Sequence, residues 1–337
     1  MSAADVAGAA GVPAAPAPER RRTRRAAAWR RRRLVLLLMS PWIVGFAVFF
    51  AYPLVTTVLL SFTHYDLLSS PHWIGLANYR YLFGTDQQLW PAVSNTLWMI
   101  VFAVPLQVLF AFSVALMVTR AKAGVGIFRA IFYLPTMAPA VAATLGFVYL
   151  LNPATGPVNI ILSHLGINGP LWFQDPSWSK PSLTLLGLWG VGNTMIIFLA
   201  SLLDVPKHLY ESSELDGASA WQRLRWVTLP SISPVILFAV VIGVIEGLQY
   251  FTEGYVASSV AASGGGGQAG DQVNDLGFPE DSTLFYPILL YQQGFNYFNM
   301  GYASAMAVLL LVVSLVVTVA IVRRSDRFVH YAAGAAR

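Results

Sequence analysis

Cysteine is absent from this chain of 337 residues, and charged side chains make up only 11% of it. The absence of cysteine excludes disulfide bonds, thiolate metal sites and cysteine nucleophiles. Soluble domains carry about 25% charged residues, whereas this long chain has few charges and 56% hydrophobic residues. That balance excludes an ordinary soluble protein and indicates an integral membrane protein.

The sequence also lacks the motifs of enzymes. It contains no Gly-Lys-Ser phosphate-binding element, no zinc-ligand spacing and no Gly-x-Ser-x-Gly nucleophile. The run Gly264–Gly267 lacks the strand and lysine of a phosphate loop, so we interpret it as a flexible linker. The five histidines are scattered without ligand spacing. We therefore expect no catalytic residue, no metal site and no cofactor bound by this chain.

Six segments have about the 20 apolar residues that a helix needs to cross a bilayer. They are Leu34–Phe62, Ser94–Val118, Ala130–Leu151, Ser182–Leu203, Ser231–Thr252 and Gly301–Val322. The predicted fold class is an all-α membrane protein with six transmembrane helices. Its predicted regions are a disordered basic arm (1–33), a first transmembrane helix (34–63), a core (64–327) and a tail (328–337). Within the third segment, Pro135 and Pro139 predict a kink, because proline leaves helix carbonyls without partners.

Basic residues are strongly biased to one side of these six segments. Nine arginines precede the first segment, three basic residues follow the second, three follow the fourth and four follow the sixth, which places 19 of the 21 on that side. Cytoplasmic loops carry the excess of Lys and Arg, so both termini are predicted to be cytoplasmic. We interpret the arm Arg20–Arg33 as a topology anchor on anionic lipid headgroups rather than a nucleic-acid patch.

A charged stretch of 27 residues, Asp204–Pro230, connects the fourth and fifth segments and is called the connector below. A plain connection needs only a few turn residues, so its length and charge favour a docking surface. Pro206 suits a first helical turn, Gly217 permits a bend, and Ser219 suits a helix N-cap. The connector therefore predicts two short helices, with Pro230 starting the next membrane helix.

The spacing of the connector resembles the signature loop of the inner-membrane permease subunits of bacterial ATP-binding-cassette (ABC) importers. That loop reads Glu-Ala-Ala, three residues, Gly, nine residues, Ile-x-Leu-Pro. Here Glu211-Ser-Ser213, Gly217 and Val227-Thr-Leu-Pro230 stand at the same spacing, with serines replacing the two alanines. Three further segments resemble the carbohydrate-uptake branch: Phe132–Pro135 with Pro139, Phe198–Pro206 and Phe298–Ala303. The outside loop after segment five is longer than in that pattern.

The resemblance implies the MetI-like fold of a type I importer permease in the bacterial inner membrane. It also implies a second permease subunit, a separate cytoplasmic ATPase dimer that uses ATP and Mg, and an external solute-binding protein. In the family the connector is the coupling loop that contacts the ATPase. Carried over by position, the coupling residues are Glu211, Ser212, Ser213, Asp216, Gly217, Leu229 and Pro230. Glu211 would pair with an arginine of the ATPase; the alternative is a local pair with Lys207 four residues earlier.

Glu246 is the single ionisable residue inside the six segments, and such residues usually face a cavity. At ~1.5 Å per residue it lies at nearly the same depth as Trp189. Spacing predicts that Glu246, Gln249, Tyr250 and Glu253 share one helix face. Aromatic rings with carboxylates and amides suit a sugar. The predicted substrate-pathway residues are Trp189, Asn193, Glu246, Gln249 and Tyr250.

Three alternatives remain at this point. Glu246 and Trp189 are equally compatible with a structural hydrogen bond and ordinary packing. The chain also fits an ion-coupled secondary transporter, although one buried carboxylate and no internal repeat offer that reading little support. An ABC permease for another polar solute, such as a polyol or glycerol phosphate, is the third. Because no Lys or Arg lies inside a segment, a neutral sugar or oligosaccharide is favoured over an anionic one.

Overall fold

The computed structural model describes residues 18–120, 124–264 and 276–325. The predicted tail 328–337, the start of the basic arm and most of the Gly-rich run lie outside the described residues. In the described part, the backbone is mostly helical, as the apolar runs predict. The only sheet there pairs β1 (Thr63–His64) with β2 (His72–Trp73) in an antiparallel register that sets Thr63 opposite Trp73.

The helices are numbered in chain order. They are α1 Pro18–Phe46, α2 Tyr52–Leu60, α3 Ala77–Gly84, α4 Leu89–Trp98, α5 Val104–Arg120, α6 Val125–Tyr133, α7 Ala140–Leu150, α8 Pro157–His164, α9 Pro176–Trp189, α10 Gly192–Asp204, α11 Lys207–Leu215, α12 Ala220–Arg223, α13 Leu229–Ser231, α14 Ser233–Leu248, α15 Thr252–Gly264, α16 Tyr286–Tyr291 and α17 Met300–Ser325. Short π-helical turns occupy Ala47–Ala51, Met99–Ala103, Leu224–Thr228 and Gln292–Asn296, and 3-10 turns occupy Leu134–Met137 and Trp172–Gln174.

The chain divides into two compact units, residues 1–56 and 57–337. The first contains α1 and the start of α2; the second contains all the elements that follow. Among the described residues, three continuous helices are long and apolar enough to cross a membrane: Arg32–Leu60, Leu89–Arg120 and Met300–Ser325. Three bent pairs raise the number to six when each pair is counted as one span. This agrees with the six predicted segments.

The third and fourth predicted segments are broken rather than straight. Val125–Met137 meets Ala140–Leu150 at 102°, so the kink expected at Pro135 and Pro139 is a sharp turn. The prediction of one continuous helix over Ser182–Leu203 was wrong, because Pro176–Trp189 and Gly192–Asp204 meet at 49°. A side chain at Gly192 would come within 2.3 Å of the Phe132 carbonyl oxygen, so this glycine lets the two broken spans approach each other.

The fifth segment is also divided. The helix predicted over Ser231–Thr252 is instead α14, which ends at Leu248, and the separate helix α15. The amide of Gln249 caps α14 by donating to the Ile245 and Glu246 carbonyls, both at 3.1 Å. Residues 249–251 therefore form a non-helical break inside a continuous apolar run, which periodicity alone does not reveal.

Two hydrophobic clusters hold the second unit together. One is centred on fully buried side chains of α4, α9, α16 and α17, including Leu89, Leu183, Leu289 and Met306. The other joins α5, α10 and the start of α14 through Ala111, Met195, Phe198 and Ile232. Inside a bilayer, van der Waals packing rather than a hydrophobic driving force stabilises such clusters, because lipid tails are as apolar as the side chains. The connector follows the second cluster and the α14–α15 break borders the first.

A hydrogen-bond network fixes the loop before α16, residues 276–285. The Asn95 amide donates to the carbonyl oxygens of Asp281 (2.6 Å) and Leu284 (3.0 Å), and its own oxygen accepts from Lys180 Nζ at 2.9 Å. Ser179 and Ser282 share a further hydroxyl contact of 2.7 Å. Burial raises the pKa of the Asp281 carboxyl above its usual range. Hydrogen bonds therefore link α4, α9 and the loop before α16, which are distant in sequence, beside the first cluster.

Candidate functional site

The connector forms a helical elbow centred on Gly217. The α11 helix ends with the Gly217 amide donating to Glu214 O at 3.0 Å and the Ala218 amide donating to Ser213 O at 2.9 Å. This pair of bonds is the Schellman arrangement, which needs a left-handed residue at its turn. Gly217 supplies it with φ +75°. The glycine of the motif therefore ends the first short helix, and the predicted bend is confirmed.

The second arm of the elbow begins at Ser219, as predicted. Its hydroxyl accepts from the Gln222 amide while Gln222 Oε1 accepts from the Ser219 amide at 2.7 Å, which makes a capping box. From there, α12, a π-helical turn and α13 run on as one helical rod, Ala220–Ser231. The rod meets α14 at 69°. Pro230 therefore lies near the end of this rod, and the prediction that it starts the membrane helix was wrong.

Two side-chain contacts close the elbow. An ion pair joins Glu214 of α11 to Arg223 of α12. Deeper in, Tyr210 and Thr228 share a hydroxyl contact of 3.1 Å, and Thr228 is buried. Exposed ion pairs contribute only about 0–1 kcal/mol, so the buried contact and the packing of Leu229 against the second cluster hold the arms together.

The outer side of the elbow presents acidic and large apolar side chains together. Glu211 and Asp216 are exposed, Leu215 is 91% exposed, and Trp221 and Trp226 are 66% and 70% exposed. Among the described residues, no ion pair joins Glu211 to Lys207. Tryptophan is typical of binding hot spots, so these exposed side chains are candidates for a contact with a partner protein.

The remaining predicted coupling residues lie on the same elbow with their polar groups already engaged. Ser212 is exposed and its hydroxyl donates to Leu209 O at 3.2 Å, while half-buried Ser213 donates to Tyr210 O at 2.7 Å. A small pocket of about 240 Å³ opens beside Gly217 between the two arms. The elbow therefore offers both a protruding edge and a recess to a partner.

A second feature is a cavity of about 470 Å³ within the second unit, called the central cavity below. It is bordered by the start of α5, the α6–α7 break, the end of α9, α14 and the α14–α15 break. Its polar and aromatic lining residues are Gln107, Thr136, Trp189, Glu246, Gln249, Tyr250, Phe251, Thr252 and Glu253. Lysine, arginine and histidine are absent from the described lining.

Four of the five predicted substrate-pathway residues meet at this cavity. Trp189, Glu246, Gln249 and Tyr250 all line it. The prediction that Glu246, Gln249, Tyr250 and Glu253 share one helix face was wrong. The α14 helix ends at Leu248, and Gln249 and Tyr250 lie in the break before α15. Asn193 does not belong to the described lining, and it lies exposed in the first turn of α10 beyond the break that the sequence did not predict.

The aromatic walls are held in place by neighbouring rings. Trp189 packs against Phe147 with ring centroids 5.5 Å apart, yet it remains 42% exposed. Tyr250 meets Phe285 edge-on at 5.1 Å. A braced but accessible indole offers a flat surface for a sugar ring, and nearby carboxylates and amides accept from and donate to its hydroxyls.

Sequence reasoning missed Gln107 and Thr136 and left Glu253 out of the site. Gln107 lies half-buried where α9 passes close by: a side chain at Gly187 would come within 2.2 Å of its Nε2 atom. A glutamine in the middle of an otherwise apolar segment was the available signal. Its place at the cavity follows from the packing of α5 against α9, which hydropathy does not reveal.

Comparisons with known proteins cover both the connector and the central cavity. A family model described as the binding-protein-dependent transport system inner membrane component matches residues 107–331. The probable ABC transporter permease protein YesP of Bacillus subtilis (strain 168) is 36% identical over 294 residues, covering 87% of this chain and 90% of that protein. The arabinooligosaccharides transport system permease protein AraP of the same organism is 29% identical, covering 86% and 87%.

A solved structure extends the likeness to the fold. A chain of a bacterial ABC transporter involved in the import of the acidic polysaccharide alginate matches with a TM-score of 0.72 and 25% identity, over 91% of this chain and 100% of that chain. The glycine elbow, the broken membrane helices and these similarities lead to one conclusion: the chain belongs to the binding-protein-dependent transport system inner membrane component family, the membrane-embedded permease subunits of ABC transporters.

Proposed function

We propose that this chain forms half of the translocation pathway of an importer for a neutral sugar or oligosaccharide, with the central cavity as its part of the cargo site. The observation that carries this proposal is the lining of that cavity. An accessible indole lies beside carboxylate and amide side chains, and the described lining has no cationic residue. An anionic sugar entering this half would meet Glu246 and Glu253 without a compensating positive charge.

The coupling role is proposed for the elbow of the connector. A cytoplasmic ATPase dimer, which uses ATP and Mg, contacts Glu211, Leu215 and Asp216, and its closure moves the elbow. Because the rod Ala220–Ser231 leads directly into α14, and α14 carries Glu246, a displacement at the elbow reaches the cargo site through one bend. The chain itself is proposed to be non-catalytic and to bind no cofactor.

The other partners follow from the same scheme. A second permease subunit supplies the facing half of the pathway, and an external solute-binding protein delivers the cargo. Both termini and the connector are proposed to lie on the cytoplasmic side of the inner membrane, since 19 of 21 basic residues fall on that side. The permease named for arabinooligosaccharides agrees with an oligosaccharide cargo. The alginate importer handles an acidic polymer, so the neutral preference rests on the cavity lining alone.

The proposal is tested with the transporter purified from its host membrane by an affinity tag on this chain and reconstituted into vesicles. Binding-protein-dependent uptake of neutral oligosaccharides should require ATP and should be insensitive to collapse of a proton gradient. A matched uronic acid oligosaccharide should not be taken up. Uptake that persists without ATP and stops when the proton gradient collapses would instead favour an ion-coupled carrier.

A further inference from the structure

A groove of about 580 Å³ lies between the connector rod, α14 and the end of α17, and it shares no lining residue with the central cavity. It is called the basal groove below. Its lining residues are Arg225, Leu229, Pro230, Ser233, Ile236, Leu237, Val240, Ile321, Arg324 and Ser325. The cargo site does not use this surface. Of the predicted coupling residues, Leu229 and Pro230 border the groove, whereas Glu211 and Asp216 on the exposed edge of the elbow do not.

The floor of the basal groove is apolar and runs along the membrane helices. Ser233, Leu237 and Val240 recur every three or four residues, so they form one stripe along α14, and Leu229 of the rod adjoins it at the bend. From Ser233 to Val240 this stripe extends about 10 Å along α14. Ile321 of α17 forms the opposite wall. The floor is therefore an apolar surface that runs along the axis of α14, and it suits a lipid hydrocarbon chain.

The rim of the basal groove is positively charged. Arg225 lies at one side and Arg324 at the other, and both are exposed. Within residues 18–120, 124–264 and 276–325, neither arginine has a carboxylate partner, in contrast to Arg223, which pairs with Glu214. The Arg225 guanidinium also lies 5.4 Å from the ring centroid of Trp226, which is itself 70% exposed.

This rim lies at the ends of two candidate membrane helices, which is where a helix leaves the bilayer. The apolar helix α17 ends in Arg323 and Arg324, and α14 begins at the bend beside them. Tryptophan and arginine are enriched at such interfaces, and basic pockets between membrane helices on the cytoplasmic side bind lipid headgroups. The headgroup of a zwitterionic lipid also carries a cationic group, which would lie close to two arginines that lack a carboxylate partner. The headgroup of an anionic lipid has a net negative charge, so it suits this rim better.

We infer that the basal groove is a binding site for an anionic phospholipid. The phosphate of the headgroup accepts hydrogen bonds from Arg225 and Arg324, and one acyl chain lies along Leu237 and Val240. Guanidinium groups suit phosphate because their donors match its oxygens in pairs. A bound lipid here touches both the connector rod and α17, so it braces the bend through which the elbow reaches α14.

The inference is tested on the full-length chain by native mass spectrometry with phosphatidylglycerol and phosphatidylcholine. The wild type should retain one phosphatidylglycerol in preference to phosphatidylcholine. The double variant Arg225→Gln/Arg324→Gln should bind phosphatidylglycerol about 25-fold more weakly, at about fivefold per arginine. The control Arg323→Gln/Arg120→Gln removes the same charge on the same side without touching the groove and should leave binding nearly unchanged. Equal weakening of phosphatidylglycerol binding in the two double variants would contradict the inference. It would show that binding depends on the total positive charge of that side rather than on the basal groove.

A second measurement locates the lipid and does not depend on transport. The chain has no native cysteine, so Leu237→Cys can be labelled singly with bimane in the transporter purified from its host. Brominated phosphatidylglycerol should quench this label more strongly than brominated phosphatidylcholine, and the arginine pair variant should abolish the difference. A label at Val316→Cys, on the exposed side of α17, should show no such difference. Failure of both lipids to quench the bimane in the Leu237→Cys variant would mean that a protein covers the groove, which contradicts the inference.

Discussion

Glu246 is the only charged residue in α14, and it faces a cavity that also contains Gln107 and Trp189. A charged residue in an apolar helix is energetically costly, and the proposed role in holding cargo would account for that cost. Replacing Glu246 with alanine removes a hydrogen-bonding partner from the cargo, and losses of this kind amount to about 1–3 kcal/mol.

We therefore expect Glu246→Ala to lower uptake by about 5- to 150-fold while leaving assembly of the transporter intact, as measured by initial uptake rates and by copurification of the partner subunits. Glu246→Gln should recover part of the rate for a neutral sugar, because the amide still forms hydrogen bonds. Ile242→Ala truncates a side chain of the same helix outside the cavity and serves as the control. Unchanged transport kinetics in Glu246→Ala would remove this residue from the cargo site.

Gly217 is constrained by its backbone rather than by its surroundings. A side chain at this position would have open space around it, but φ is +75°. Left-handed backbone costs roughly 1–2 kcal/mol for most residues, whereas asparagine adopts it more readily.

Gly217→Val should therefore shift the elbow and uncouple ATP hydrolysis from uptake, and Gly217→Asn should retain most coupling. The measurement is the ratio of sugar transported to ATP hydrolysed in proteoliposomes, with binding-protein docking followed as a control. Wild-type ratios in the valine variant would rule out a coupling role for the shape of this turn.

At the scale of secondary-structure elements, the sequence predicted the breaks within the membrane helices least well. Pro135 and Pro139 predicted a kink, but its size depends on the neighbouring segments that satisfy the freed backbone groups. The break between α9 and α10 depends on the close approach of Gly192 to Phe132, a contact 60 residues apart in sequence that no local pattern contains. The end of α14 at Leu248 likewise interrupts an apolar run without proline.

The loop before α16 depends on one buried amide. Asn95 lies 5% exposed in α4 and links Lys180 of α9 to the carbonyls of Asp281 and Leu284. Removing its side chain leaves these groups without partners, at a cost of about 1–3 kcal/mol.

Asn95→Ala should accordingly lower the unfolding temperature of the detergent-purified protein and increase proteolysis at residues 276–285. Ser94→Ala is the matched control: its exposed hydroxyl bonds only to Pro91 O in its own helix. If both variants melt alike, the network does not hold this loop.

At the scale of the whole molecule, the six spans and the family were predictable because both depend on properties local to the sequence. Hydropathy locates each span, and the spacing of Glu211, Gly217 and Pro230 locates the elbow. The cargo site was predicted only in part, because Gln107 and Trp189 meet through packing of distant elements.

Orientation is testable because the chain has no cysteine of its own. A membrane-impermeant maleimide should label Ser163→Cys, in the exposed helix α8, in intact cells. It should label Ser212→Cys in the connector only after the membrane is permeabilised. Labelling of the Ser212→Cys variant from outside intact cells would contradict the proposed topology, because it would place the connector outside the cell.

The most direct test of the central claim is photo-crosslinking from the protruding edge of the elbow. Leu215, at 91% exposure, is replaced with cysteine and labelled with a benzophenone maleimide in inside-out membrane vesicles that retain the whole transporter. The account predicts one dominant crosslinked product with an ATP-binding-cassette ATPase subunit, and a yield that changes when a non-hydrolysable ATP analogue is added. Absence of an ATPase from the crosslinked products of an otherwise intact, transport-competent complex would contradict it.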